Sequence, residues 1–408
     1  MSNGKGNAVV GQSGGPTSVI NQSLIGVIEE VRKAGHIDRL LGARHGVSGI
    51  VKEQFIELNK APDELLARIA TTPSAALGST RDKPDQAYCE KIFRVFQKNN
   101  VRFFFYIGGN DSADTARIVS DLAKKEGHEL HVFHIPKTID NDLRVHDHTP
   151  GYGTAARFVA EAIMGDNFDN KSLPGIKVDV IMGRHAGFLT AASVLARQHD
   201  QDGPHLIYVP EVPFTREKLL GDVDRVYSKY GRCLIACSEG ISAPDGRPWA
   251  QVLAENAKEH VERDSHGNVQ LSGSGTLGDS LADLIKDELP PQGGKKLRVR
   301  ADTFGYLQRS FPGTVSATDS CEAWLVGQMA VRYSKEGHEG GSVAMRRVAG
   351  DGYRIETFLT PLHTVAKETK HMDPSFIRNG NDITEAFKDY ARPLIGELPR
   401  VGSFDELR

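Results

Sequence analysis

Seven consecutive residues, Pro136-Lys137-Thr138-Ile139-Asp140-Asn141-Asp142, place two carboxylates two positions apart beside a lysine and a hydroxyl. One loop with that set offers a proton acceptor, an oxygen ligand for a divalent cation and donors to phosphate oxygens. A solvated polar turn is the plain alternative. A second loop, Ile107-Gly108-Gly109-Asn110-Asp111-Ser112, combines two glycines for close backbone approach with hard oxygen donors on Asn110 and Asp111, the types magnesium takes. Ser112 is expected to cap the helix that follows, and by itself the loop reads equally as a turn whose Asp111 favours a helix start. Gly14 and Gly15, followed by Pro16, Thr17 and Ser18, suggest an anion cradle at the start of a helix. This third loop matches neither the Gly-Lys-Ser/Thr phosphate loop nor the G-x-G-x-x-G dinucleotide pattern.

These loops need elements to hold them. Apolar residues Val19, Ile20, Leu24, Val27, Ile28 and Val31 recur at helical spacing up to Gly35, directly after a short apolar run that ends at Gly11. Further short runs follow at Phe103–Ile107, Val132–Ile135, Val178–Met182, Leu206–Val209 and Cys233–Cys237. Strands alternating with helices predict an α/β protein with doubly wound, mostly parallel sheets. In such sheets ligands bind beyond the carboxyl ends of the strands, and GQSGGP, GGNDS, PKTIDND, MGRHAG and SEG all fall at such ends.

Composition narrows the class. The 408 residues carry 50 Lys and Arg against 53 Asp and Glu, a net charge of −3, which excludes a strongly basic nucleic-acid footprint. No apolar run approaches the roughly 18 residues of a membrane span, and the first residues hold no apolar signal segment. Cys89, Cys233, Cys237 and Cys321 are too scattered for a disulfide framework, so a reducing cytoplasm is expected. His146 and His148 flank Asp147 at a spacing that permits a metal, but a third ligand is not evident and a polar turn is the expected reading.

Taken in order, GGNDS, PKTIDND, MGRHAG, SEG and GYLQRS resemble the phosphofructokinase family, in particular its pyrophosphate-dependent branch. That resemblance implies two Rossmann-like lobes facing a cleft. A phosphoryl-donor lobe would take residues 1–148 with about 310–360, and a sugar-phosphate lobe 149–309 with a polar insert at 241–297. Residues 361–408 would be a C-terminal appendage. Carried onto this sequence, Asp140 is the base that deprotonates the sugar 1-hydroxyl, Thr138 contacts the moving phosphoryl group, and Asp142 orients the acceptor. Arg184 stabilises the transferring group, while Met182, Gly183 and Glu239 hold sugar hydroxyls. Tyr306 and Arg309 resemble the pair that grips the 6-phosphate, and Arg300 a basic residue lent by a neighbouring subunit. Gly14, Gly15, Gly109 and Arg81 match donor-binding positions, with Asn110 and Asp111 toward Mg2+.

The donor is argued from two positions. The ATP-using branch has a small residue at Asp111, where a carboxylate would repel the α-phosphate. Another small residue of that branch is replaced by Lys137, whose ammonium offsets charge on a pyrophosphate leaving group. Asn110 departs from the family's usual aspartate, the expected Pro-Gly is replaced by Ser18 and Val19, and an interfacial arginine before Val178 has no counterpart, Lys177 being the nearest base. The expected protein is a cytoplasmic homo-oligomer, dimer or tetramer, acting on pyrophosphate and fructose 6-phosphate with no nucleic-acid or membrane partner. An ATP-dependent enzyme of this fold, or a silent sugar-phosphate-binding subunit, are the alternatives.

Overall fold

Burial on both faces is written into the sequence Val101-Arg-Phe-Phe-Phe-Tyr-Ile-Gly108, an almost unbroken apolar run that suits only a central strand of a covered sheet. A computed structural model, describing residues 5–257, 275–290, 296–402 and 404, forms two units, Met1–Thr154 with Arg309–Lys370 and Ala155–Gln308 with His371–Arg408.

The first unit contains β1 (Gly6–Gln12), β2 (Ile37–Ala43), β3 (Phe55–Glu57), β4 (Val101–Gly108) and β5 (His131–Pro136), joined by β10 (Gly340–Arg347) and β11 (Ile355–Thr360). Their order is β11-β10-β5-β4-β1-β2-β3. The five inner strands are parallel and only the edge pairs β10/β11 and β2/β3 are antiparallel. One face is covered by helices Ile20–Ala34 and Ala317–Lys335, the other by Gln86–Lys98 and Asn110–Lys125. Phe103, Phe104 and Phe105 are completely buried between them, each worth about 1.5 to 3 kcal/mol of transfer free energy.

Topology selects the functional edge. The chain leaves β1 toward β2 on one side and β4 toward β5 on the other, so the carboxyl ends of the adjacent β1 and β4 form a switch point, where doubly wound sheets open a crevice. GQSGGP and GGNDS follow those two strands.

The second unit is built on a four-stranded parallel sheet of β6 (Ile176–Ile181), β7 (Leu206–Tyr208), β8 (Cys233–Ser238) and β9 (Val299–Thr303), in the order β7-β8-β6-β9. Residues after His371, which carry no legible motif, supply the hairpin β12 (Ile377–Arg378)/β13 (Asp382–Ile383) and the helix Glu385–Ile395, whose Phe387, Ala391, Leu394 and Ile395 are buried. Of the expected insert 241–297, helices Trp249–Ala257 and Thr276–Glu288 are described. Residues 258–274, and 291–295 of the PPQGGKK stretch, lie outside the described residues.

Two helix starts differ from expectation. Helix Asn110–Lys125 is preceded by Gly109 at its cap, not by Ser112, which lies in the first turn and donates to Ser13 Oγ at 2.9 Å. Helix Ile20–Ala34 begins five residues beyond Gly15, after a turn at Ser18 and Val19, so its N-terminus is not applied directly to the diglycine.

Candidate functional site

In the first unit the diglycine after β1 is held from three sides. Ser13 N–H donates to Ile107 O at 2.9 Å, Gly14 N–H to Thr80 O at 2.9 Å, and Ser79 Oγ to Gly14 O at 2.6 Å. Gly14 takes a positive φ of 75°, which a side chain would strain. Cations take the place of the expected helix end. Lys137 Nζ donates to Gly15 O at 2.6 Å, and a methyl placed on Gly15 would stand 2.6 Å from Arg309 Nη1 and 3.9 Å from Arg81 Nη2. Lys137, Arg81 and Arg309 therefore converge on one bare stretch of backbone, an arrangement suited to several phosphate oxygens.

Lys137 is 4 % exposed, and its position is fixed because its N–H donates to Gly108 O at 2.9 Å, clamping the loop after β5 to the end of β4. Burial pulls its ammonium down to about 8, with repulsion from Arg309 and Arg81 adding to this and attraction to Asp140 and Asp142 opposing it. Asp140 and Asp142 thus lie close enough to act on the Lys137 ammonium. Thr138 Oγ1 accepts from the N–H of Asp140 at 3.1 Å, a turn that presents both side chains from one loop. Asn110 Oδ1 accepts from Asp111 N–H at 2.8 Å, and Asp111 pairs with Lys83 at 3.1 Å. Lys83 carried no sequence signal beyond standing two residues after Arg81.

Arg309 belongs to the first unit with the diglycine, and Tyr306, three residues earlier and half exposed, to the second. The chain crosses between the units at Gln308–Arg309.

In the second unit β6 and β8 are neighbours, so their loops meet. Glu239 N–H donates to Ile181 O at 2.8 Å, Ser238 Oγ to Gly183 O at 2.6 Å, and Met182 N–H to Gln308 Oε1 at 3.2 Å. A side chain on Gly240 would strike Arg184 O at 2.1 Å, so the SEG and MGR loops are as close as backbones allow. Glu239 is buried there. Arg300 is not with this group. It pairs in register with Lys177 near the opposite ends of β9 and β6, and Nη1 donates to Val299 O at 3.0 Å. Lys177 is engaged by Asp166 and, at 2.7 Å, by Asp302. With Asp179 these carboxylates form the one group of three metal-ligating side chains among the described residues.

His146 and His148 are not in that group. His148 sits between Asp147 at 2.8 Å and Glu322 at 2.6 Å, and Arg347 reaches Asp147 at 3.0 Å. Cys233 and Cys237 are buried in β8 with their thiols pushed up by burial, as packing residues. Glu211, in the loop after β7, accepts from the N–H groups of Gly187 at 2.9 Å and Met372 at 3.1 Å. An acid just past the Leu206–Val209 run was the available signal for it.

Fold and site together define a doubly wound α/β protein with a cation-lined crevice at the strand ends of its first unit. Residues 7–334 match the family model described as Phosphofructokinase, and the chain belongs to that family. It is 52 % identical over 393 residues, 96 % of this chain and 95 % of the relative, to the pyrophosphate–fructose 6-phosphate 1-phosphotransferase of Rhodospirillum rubrum. It is 39 % identical to the protein of the same name from Xanthomonas campestris, covering 98 % of this chain and 94 % of that one. A crystal structure of pyrophosphate-dependent phosphofructokinase from Marinobacter aquaeolei superposes with a TM-score of 0.83 at 33 % identity, covering 98 % and 94 % of the two chains. No helix of the described residues is long and apolar enough to cross a membrane.

Proposed function

We propose that this chain transfers a phosphoryl group reversibly from pyrophosphate to the 1-hydroxyl of fructose 6-phosphate, giving fructose 1,6-bisphosphate and phosphate. The observation that carries the reading is the convergence of Lys137, Arg81 and Arg309 on Gly14–Gly15, next to a loop bearing Asp140 and Asp142. The 52 % identical relative named for this reaction supports it.

Phosphoryl transfer asks for in-line positioning, positive charge and a proton acceptor. Asp140 takes the proton of the sugar 1-hydroxyl as its oxygen bonds to phosphorus; the bridging P–O bond breaks and its electron pair leaves with phosphate. Thr138 and Arg184 hold the moving group, and Asp142 fixes the acceptor. Lys137, Arg81 and Arg309 balance the charge of a leaving group with no nucleoside to anchor it. In this role Arg309 serves the donor as much as a sugar 6-phosphate. Glu239, with the Met182 and Gly183 backbone, holds sugar hydroxyls, and Tyr306 with a neighbouring subunit's Arg300 faces the 6-phosphate. That last assignment calls for a homo-oligomer, as does the position of Arg300 away from the strand-end loops of its own unit.

Asn110 and Asp111 fit magnesium in kind, being oxygen donors on the first turn of a helix at the crevice. One carboxylate and one amide suit an ion that keeps waters and binds substrate phosphates, and it would neutralise charge on the pyrophosphate. The protein acts in the cytoplasm.

Replacing Asp140 with Asn tests the reading. Turnover is expected to fall by about 10²- to 10⁴-fold while fructose 6-phosphate binding, followed by calorimetry, persists. A variant with native turnover removes Asp140 as the base.

A further inference from the structure

The chain between Asp140 and Asp147 is strained. Asn141 and Val145 both have positive φ, 58° and 72°, a region that asparagine tolerates and a β-branched valine does not. Asn141 is fully buried and its Oδ1 accepts from Thr149 N–H at 3.1 Å, so its conformation is fixed locally. Val145 is 45 % exposed, and packing does not hold it. Such a conformation persists only when its surroundings over-determine it.

The surroundings are supplied by a segment far away in sequence. Leu143, fully buried against Ala113, Val365 and Ala366, forms an antiparallel bridge with Thr369. Lys370, the last residue of the first unit, then bonds on both sides of Val145. Its N–H donates to Asp142 O at 2.7 Å, and its Nζ donates to His146 O at 3.0 Å and Asp147 O at 2.8 Å. From the other side Asp147 N–H donates to Met345 O at 2.9 Å.

We infer that Lys370 is a positioning residue of the phosphoryl-transfer loop: by bonding carbonyls before and after Val145 it holds the strained turn that sets the places of Asp140 and Asp142. The inference rests on the function proposed above for those two carboxylates. Its ammonium is drawn down to about 8 by burial, against the attraction of Asp147 and Asp142, so the group is placed where its charge is costly. Its two bonds to the backbone oxygens of His146 and Asp147 give it a task in that place.

The test compares the full-length native chain, Lys370→Met, Val145→Gly and the double variant. Glycine adopts positive φ without strain, so Val145→Gly removes the need for a clamp. Lys370→Met is expected to lower kcat on the order of tenfold to a hundredfold, since small misplacements of reacting groups cost that much, with KM for pyrophosphate within about threefold. Adding Val145→Gly should restore a large part of the loss. A merely structural lysine would show no such rescue. Native kcat in Lys370→Met, or a loss that Val145→Gly does not relieve, overturns the inference. Should Lys370→Met fail to fold, Lys370→Gln, which keeps one donor, is judged by the same criteria. A native chain silent with both pyrophosphate and ATP defeats the proposed function instead. The clamp is then read from amide exchange of residues 138–148, which rises in Lys370→Met if the inference is right and is unchanged if it is wrong.

Discussion

In the proposed reaction, Lys137 is the residue on which donor chemistry and stability pull in opposite directions. Its ammonium, depressed to about 8 by burial first and by Arg309 and Arg81 next, is more costly in the folded than in the unfolded chain. The sign follows from proton binding: between about pH 8 and 10.5 the unfolded state holds more protons, so this group's contribution to stability rises with pH through that window and is least favourable below it. Lys137→Met should therefore raise stability at pH 7 by about 1 to 3 kcal/mol in denaturant titrations, while pyrophosphate-dependent turnover collapses. In the native enzyme kcat/KM for pyrophosphate should fall above about pH 8 as the free-enzyme ammonium is lost. A flat profile to pH 10 would remove Lys137 from donor binding. At this scale the sequence was informative where chemistry is dense. The lysine, hydroxyl and two carboxylates of PKTIDND are neighbours in the chain, so their meeting needed no fold. Lys83, Glu211 and Lys370 were not legible, nor was the approach of Arg309 to the diglycine, because each reaches its partners across long loops that only tertiary packing closes.

Between residue and unit stands the clamp of the loop after β5 to helix Ala317–Lys335. Burial alone would keep His148 neutral, but its bonds to Asp147 and Glu322 outweigh that and raise its pKa. A raised histidine stabilises fully below about 6.5 and loses that contribution as pH rises through its folded value. Glu322→Ala, which leaves a buried imidazolium short of a partner, should cost about 3 to 5 kcal/mol at pH 6 and less at pH 9, by chemical denaturation at both. An equal loss at both pH values would mean that Glu322 acts through packing alone. The strands that frame these clamps were readable as apolar runs, and β1, β4, β5, β6, β7 and β8 all stand where those runs are. The edge strands β3 and β11 were not, since half-exposed strands with polar residues lack a continuous run, and β10, buried from Gly341 to Met345, opens with Gly-Gly-Ser and holds only a three-residue apolar run. The start of helix Asn110–Lys125 was misplaced for a related reason: Ser112 has a cap's chemistry but bonds to Ser13, a partner 99 residues away.

Across the whole molecule, the alternation of strands and helices announced two parallel sheets, and the strand order places the diglycine and GGNDS loops at a switch point that no local pattern encodes. The chain crosses between the units after Thr154, Gln308 and Lys370, the second of these inside the continuous GYLQRS motif. In the proposed reaction the choice of pyrophosphate rests on a pair of side chains, Asp111 and Lys137, set in the first unit. The most direct measurement is fructose 1,6-bisphosphate formation by the purified chain from fructose 6-phosphate and magnesium, with pyrophosphate or ATP supplied in parallel. Turnover with pyrophosphate and none with ATP is the predicted result; turnover with ATP would contradict the roles given to Asp111 and Lys137.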